Sequence, residues 1–384
     1  MGMKMRGRFL LAAALVCAAL LHAQTAQPWE IGPFTRPESG NPVIAPRAES
    51  TFADPILKAP AHWEALHTFN PAAIVRNGKV FVLYRAEDDS GAMAIGGHTS
   101  RLGLAESADG IHFTRRDAPV FFPARDKQEA REWPGGVEDP RIVEREDGTY
   151  VLTYTQWNRD RNLFSVGIAS SRDLMHWTKH GPAFLNAAGG KYAGLKYKSA
   201  GIVTRLDPEK RRLIAARIDG KYRMYWGEGA VHLATSADLI HWSPVEDAQG
   251  APIELLRPRA GHFDSGFPET GPPPVVTSAG IVLVYNGKNA VEGGDPELGS
   301  NAYAAGEALF DAHHPAHLLK QAEHPDLKPE MAYEKTGQYA AGTTFAEGLV
   351  YFHDRWFLYY GCADSLVGVA TAPKTPFAGI QGTK

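Results

Sequence analysis

Cysteine is scarce in this chain: among 384 residues there are two, Cys17 and Cys362. Cys17 lies in an N-terminal segment that reads as removable, which leaves Cys362 alone in the mature chain. An intrachain disulfide and a cysteine-rich zinc site are both excluded by that count. Charge of one sign is missing too, with 40 Lys and Arg against 43 Asp and Glu, a formal net charge of -3 and a pI of about 6.6. No basic field therefore argues for nucleic acid or anionic lipid as a partner. The apolar run over the first residues is too short to span a bilayer comfortably, and no later run replaces it. No long stretch carries amphipathic helical period either. Stability must come from core burial, which a chain of this length can supply.

The apolar run at the start has the organisation of a secretory signal. Lys4, Arg6 and Arg8 make a basic opening, Phe9 to Leu21 is apolar, and Leu21-His22-Ala23 offers a small residue before Gln24. Cleavage after Ala23 is expected, giving an exported periplasmic or secreted chain with no membrane insertion. A lipoprotein reading through Cys17 is the weaker one, because Val16 is a poor small-residue neighbour.

Three segments align without gaps: LAESADGIHF from Leu104, IASSRDLMHW from Ile168 and LATSADLIHW from Leu233. Each reads apolar-Ala-x-Ser-x-Asp-x-x-His-aromatic, at a spacing of about 65 residues. Degenerate copies follow at AYAAGEALFD and LVGVATAP. The recurring Ser and Asp suit a tight turn, since short polar side chains bond nearby backbone. His112, His176 and His241 are read as packing at that shared turn rather than as ligands. Strand-like runs precede each copy, and radial repetition of four-stranded sheets is a β-propeller. The expected fold is all-β, one five-bladed β-propeller over residues 61–384, closed by pairing between the chain ends. The proline-rich extension over residues 24–60 wraps the outside or completes the last blade. A β-sandwich is the structural alternative, and so regular a long repeat counts against it.

Aligning the repeats puts HTFNPAAIV, GVEDPRIV, KYKSAGIV, FPETGPPPVV and YAAGTTFAEGLV at equivalent places. Asn70, Glu138 with Asp139, Lys198 with Ser199, Glu269, and Gln338 with Tyr339 would then ring one mouth of a central channel. The turns after the second strands add Arg85, Asp88, Arg217, Asn286 and Asp364. Carboxylates, amides and cations in a cleft rimmed by aromatics suit a sugar better than a protein face, although β-rich cores use the same aromatics. Period-two alternation sends Glu138 and Asp139 to opposite sides, with Arg141 on the side of Asp139. Arg141 reads either as a substrate contact or as the partner of one of the two acids. An arginine there would lower the pKa of Asp139, which does not help a general acid.

The stretches LYRAEDD, GVEDPRIV, ETGPPPVVTSAGIVLVYNGKN and GTTFAEGLVYFHDRWFLYYGCADS, with HTFNPAAIV and the DL-x-HW turns, resemble glycoside hydrolase family 130. The similarity runs in order from about Asn70 to Ala370. It implies a five-bladed propeller acting on β-mannosides, as an inverting phosphorylase or as a hydrolase. It also implies Asp139 as general acid, with the proton relayed through a sugar hydroxyl, and Asn70, Arg85 and Asp364 as sugar contacts. Lys198 matches a phosphate-site lysine of the phosphorylases, with Arg217 near it. This chain departs from the phosphorylase pattern in two places. YHG is YNG, which puts Asn286 where a phosphate-binding histidine stands, and FPETGPPP inserts the carboxylate Glu269 in place of a lysine-bearing stretch.

Losing a cation and gaining an acid both disfavour phosphate and favour a base for water. Inverting hydrolysis needs an acid on the leaving-group side and a base across the ring. Glu269 and Glu228, in MYWGEG, are both candidates for that base, and the residues do not choose between them. Export agrees, because a sugar phosphate made outside the cell is lost to it. The expected activity is inverting hydrolysis of β-mannosidic linkages, β-1,2 above others, in manno-oligosaccharides or glycans. No metal and no cofactor are expected, and inorganic phosphate enters only if the chain is a phosphorylase. A non-catalytic sugar-binding propeller is the alternative from another class. A glycosidase of the arabinanase or fructosidase kind would carry an early aspartate where Asn70 stands. Linkage, aglycone and oligomeric state are not legible.

Overall fold

The computed structural model describes residues 27–373; the expected signal segment, residues 1–23, lies outside them. The fold is almost entirely β. Among the described residues helix is confined to Glu129–Glu132 and to two 3-10 turns, Ala187–Gly190 and Ala332–Glu334.

Antiparallel meanders follow one another along the chain. In the first, His67–Arg76 pairs with Lys79–Glu87, which pairs with Ser100–Ser107, which pairs with Thr114–Arg115. The second runs Gly136–Glu144, Tyr150–Asn158, Leu163–Ser171 and Trp177–Pro182, and joins the first through one parallel pair, Ser100 with Gly136. In the third, Ala200–Ile202 pairs with Lys221–Trp226, then His232–Ser236 and Trp242–Pro244. An inserted hairpin, Thr204–Asp207 with Arg212–Ala215, splays this meander, and its first strand reaches over to pair in parallel with Val275–Thr277. The fourth has Phe267–Thr270 and Val275–Thr277 on one side of Gly280–Lys288, then Tyr303–Phe310 and Leu318–Gln321. The last is Thr344–Phe352, Arg355–Cys362 and Leu366–Pro373. Its outer edge is met by the N-terminal segment, through antiparallel bridges of Thr35 with Thr371 and Ile44 with Val367.

The strand containing VFVLYRA, Lys79–Glu87, is buried on both faces, which explains why it reads as a continuous apolar run rather than an alternating one. Val80, Val82, Tyr84 and Ala86 pack toward the last meander, whereas Phe81 and Leu83 on the opposite face pack toward the second. The same division recurs round the molecule. One apolar cluster lies between the second and third meanders, another between the third and fourth, and another between the fourth and last, where Trp29, Ile31 and Phe34 of the N-terminal segment join it. Full burial of one such leucine or valine is worth roughly 1.5–3 kcal/mol. The leading strand His67–Arg76 packs against both Gly136–Glu144 and Thr344–Phe352. The starts of the leading strands are thereby brought together.

The repeated motif is a turn held by its own side chains. Asp109 accepts from the backbone N–H of Ile111 and His112 and from His112 Nδ1, the last at 2.7 Å. Asp173 with His176 and Asp238 with His241 repeat this at 2.7 and 2.8 Å. The histidine side chains are 80, 85 and 73% exposed, so they clasp the turn from outside instead of packing within it. The degenerate fourth copy keeps the device, since Asp311 accepts from the backbone of His313 and His314.

Candidate active site

A cavity of ≈ 290 Å³ opens where the leading strands begin. It is lined by Asn70, Arg85, Glu138, Asp139, Lys198, Glu228, Glu269 and Asp364 among the residues expected from sequence. Five carboxyl groups thus face two cations.

The backbone at the strand starts is bent to present these groups. Register slips between Glu138 and Arg141, and Asp139 has φ of 47°. A left-handed conformation at a non-glycine residue costs on the order of 1–3 kcal/mol and clusters at functional sites. The bulge corrects the alternation expected from sequence. Glu138 and Asp139 do not point to opposite sides; both line the cavity. The first meander does the same, with a slip between Phe69 and Pro71 and φ of 45° at Asn70. Ser199 in the third meander has φ of 55°.

Arg85 organises the first cluster. Its Nη1 lies 3.1 Å from Asp139 Oδ1, and its Nη2 lies 2.9 Å from Glu138 Oε1 and 2.6 Å from Glu87 Oε1. Nε donates to Ser100 Oγ, whose hydroxyl donates to Glu138 Oε1 at 3.1 Å, and the guanidinium stacks on Phe69. Asn70 Nδ2 donates to Asp139 Oδ1 at 2.8 Å. Any side chain at Gly361 would meet Asn70 Oδ1 at 2.2 Å, so the glycine is what lets the amide sit there. Burial pushes the Glu138 carboxyl up to about 7; Arg85 opposes this, while Asp139 and Glu87 add to it. Burial acts on Asp139 in the same direction, but Arg85, Lys198, Arg141 and the Asn70 bond outweigh it and hold Asp139 below its ordinary range. Asp364 is pushed up to about 7 by burial, against the pull of Arg85.

Lys198 organises the second cluster, at 3.2 Å from Glu228 Oε1 and 3.5 Å from Glu269 Oε1. A backbone bridge holds Glu228 beside Glu269. The approach requires Gly227, with φ of 119°, where a Cβ would stand 2.4 Å from the Ala230 carbonyl. Ser199 Oγ donates to Glu269 Oε1, and Glu269 Oε2 is buried without a hydrogen-bond partner. Burial pushes Glu269 up to about 7, with Lys198 opposing and Glu228 adding. One desolvated carboxylate is therefore poised near neutrality beside a lysine, as a general base requires.

Four of the expected residues do other work. Arg217 is exposed; it donates to the Gly220 and Ala237 carbonyls and stacks on Tyr222. The strand paired with Ala200–Ile202 is Lys221–Trp226, so the position that follows the second strand belongs to Glu228 and not to Arg217. Asp88 is buried against Arg101 Nη1 at 2.7 Å and accepts from the N–H of Ser90 and Thr99, closing the base of the loop between them. Asn286 exchanges bonds with the backbone of Ala346, which ties two meanders together. Arg141 lies under the cavity, donating to the carbonyls of Asp139, Thr270 and Gly271, with Glu347 Oε1 at 2.9 Å from its Nη1. Its partner is thus Glu347 rather than either of the two acids in the motif. Sequence reasoning missed Tyr303, Phe345, Trp157 and Phe164, which supply the aromatic wall. Trp157 lies near the end of a second strand, as Arg85 does, and that position was the available signal.

A family model described as beta-1,4-mannooligosaccharide phosphorylase (Glyco_hydro_130) matches residues 47–376. The chain is 31% identical, over 86% of its length and 95% of the relative's, to a 1,2-beta-oligomannan phosphorylase of Thermoanaerobacter sp. (strain X514). A solved glycosyl hydrolase from Bacteroides ovatus shares 49% identity over 92% of this chain and 97% of that one, with a TM-score of 0.88. Another solved chain, at 49% identity, 93% and 98% coverage and a TM-score of 0.89, comes from work described as "The GH130 family of mannoside phosphorylases contains glycoside hydrolases that target beta-1,2 mannosidic linkages in Candida mannan". Motifs, fold and cavity converge with these matches, and the chain belongs to glycoside hydrolase family 130.

Proposed function

We propose that the chain is an exported, inverting β-mannosidase that cleaves β-1,2-mannosidic linkages in manno-oligosaccharides or glycans, built as a five-bladed β-propeller. The observation that carries hydrolysis is the double engagement of Lys198 by Glu228 and Glu269. The one lysine that lines the cavity is neutralised, Asn286 is spent on the backbone of Ala346 and does not line it, and five carboxyl groups surround the remaining space. A phosphate dianion entering there meets like charge, whereas water meets a base. Propeller closure is supported by the N-terminal segment lying against the last meander and by apolar clusters between neighbouring meanders, the last against the first included.

In this mechanism Glu138 and Asp139 titrate as one pair. The pair's shared proton rests on Glu138, while Asp139, held low by Arg85, orients a sugar hydroxyl; that hydroxyl gives its proton to the glycosidic oxygen and takes the pair's proton in exchange, which leaves both carboxylates ionised until solvent restores it. Glu269, or Glu228 beside it, takes a proton from the water that attacks the opposite face of the ring. Aromatic residues Trp157, Tyr303 and Phe345 give the sugar its apolar walls.

The relative from Thermoanaerobacter favours a second reading, phosphorolysis with release of mannose 1-phosphate. Incubation with β-1,2- and β-1,4-linked manno-oligosaccharides, with and without phosphate, separates the two. Free mannose at a rate independent of phosphate is expected, with the β-1,2 substrates turned over faster. Mannose 1-phosphate as the sole product would overturn hydrolysis, and binding without any product would mark a sugar-binding protein.

A further inference from the structure

Beside the cavity, three side chains that the proposed chemistry does not use converge from two neighbouring strands and the loop that follows them. His67 begins His67–Arg76 and stands directly opposite Glu87 at the end of Lys79–Glu87, while His98 lies two residues before the third strand, Ser100–Ser107. One donor atom from each of His67, Glu87 and His98 lies within 4.8 Å of the others. His98 is 2% exposed and Glu87 is fully buried.

The histidines are oriented from behind. His98 Nδ1 lies 2.7 Å from the Ser90 carbonyl, which can only accept, so Nδ1 carries the proton and Nε2 keeps its lone pair. His67 Nδ1 is engaged by Ser365 Oγ at 2.9 Å, again leaving Nε2 free. Metal-ligating histidines are characteristically held this way, by an oxygen on the nitrogen that does not ligate. Glu87 bonds Arg85 through Oε1 and the Gln338 amide through Oε2. A carboxylate has lone pairs enough to keep Arg85 and still ligate through Oε2, with the neutral amide giving way. Charge points the same way. Arg85 is faced by Glu87, Glu138, Asp139 and Asp364, a local surplus of carboxylates that a cation would offset.

We infer that His67, Glu87 and His98 form a binding site for one divalent first-row transition metal ion, with zinc as its reference occupant. Two imidazoles and one carboxylate are a zinc-type donor set, and tetrahedral zinc would draw the donors to roughly 3.4 Å apart, leaving one position for water. The ion would tie two strands to the base of the loop that carries Ile95 and Gly96 to the cavity wall. It would fix that loop and take no part in bond cleavage.

The test uses chain produced without a histidine tag and stripped with chelator. Titration calorimetry with zinc chloride should show one equivalent bound, Co2+ should give the visible absorption of a tetrahedral nitrogen and oxygen site, and Tm should rise with zinc concentration. His98→Ala and His67→Gln should each weaken zinc binding by about 100-fold or more, since even the supporting partners of ligands are worth 10–100-fold. Failure of the unsubstituted chain to take up zinc or cobalt would overturn the site. So would uptake unchanged in both variants, which would place the ion elsewhere. Because uptake and spectrum are read without substrate, the result is independent of whether the chain hydrolyses mannosides.

Discussion

Arg85 Nη1 lies 3.1 Å from Asp139 Oδ1, and the same guanidinium holds Glu138 at 2.9 Å through Nη2. One cation therefore fixes two adjacent carboxyl groups that an uninterrupted strand would send apart. If Asp139 works on the bound sugar in the transition state, Asp139→Asn should lower kcat by about 10²–10⁴-fold while mannobiose still binds. Steady-state kinetics with calorimetric binding check this. Glu138→Gln should also lower kcat, because the amide keeps the neutral form of the pair but has no proton to supply to the sugar hydroxyl. Equal activity in Asp139→Asn and the unsubstituted chain would refute the assignment.

The pH profile should report the second cluster. Burial lifts Glu269 to about 7, Lys198 pulls it down and Glu228 pushes it up. A general base must be unprotonated, so kcat/KM should rise with pH and level off above about 7. Glu228→Gln removes the like charge and should move that limb to lower pH; Lys198→Met removes the opposing cation and should move it higher. Should Glu228 be the base instead, Glu228→Gln would abolish turnover and Glu269→Gln would leave most of it. The comparison of the two glutamine variants decides between them.

What the sequence could show follows from which interactions are local. The Ser-Asp-His turns were legible because every bond in them lies within three residues of Asp109, Asp173 or Asp238. Asn70, Asp139, Lys198 and Glu269 were legible because repeats put equivalent strand starts in one place. The joint presence of Glu138 and Asp139 in the cavity was not, because a bulge breaks the period-two rule on which the expectation stood. Arg217 was misplaced because the inserted hairpin shifts the third meander's second strand to Lys221–Trp226. The ties of Asn286 to Ala346 and Arg141 to Glu347 join residues far apart in the chain, and neither has a local signature.

Stability should fall as pH rises through the alkaline side of neutrality, and Glu307 is one cause. It accepts the backbone N–H of Ile31 and Gly32, both at 2.8 Å, and so anchors the N-terminal segment. Burial nevertheless lifts its carboxyl to about 8, against those bonds, and Glu30 adds to the rise. Asp326 is pushed well up by burial and then by Glu307. Groups with a raised folded pKa hold their full stabilising proton below the unfolded value of about 4.3, and lose it as pH climbs through the folded one. Tm measured at constant ionic strength should therefore drop between pH 5 and 9, and Glu307→Gln should flatten that slope. A slope unchanged in the variant would assign the effect to other groups.

Arg141 offers the clearest separation of structure from catalysis. Its guanidinium is buried beneath the cavity with Glu347 Oε1 at 2.9 Å, while its hydrogen bonds go to carbonyls on two meanders. Glu347 is fully buried and its carboxyl is pushed well up by burial, with Arg141 the leading opposing influence. Removing only the arginine leaves three carbonyls without their donor and an acid without its counter-ion. Arg141→Met should cost about 3–5 kcal/mol in urea unfolding, the usual penalty for breaking a buried pair. Glu347→Gln should cost less, because the acid is readily neutral there. The double variant Arg141→Met with Glu347→Leu should recover part of the single loss, since no buried charge is left unpaired. A substrate contact would behave otherwise: Arg141→Met would raise KM at unchanged stability, and Glu347→Leu would restore nothing.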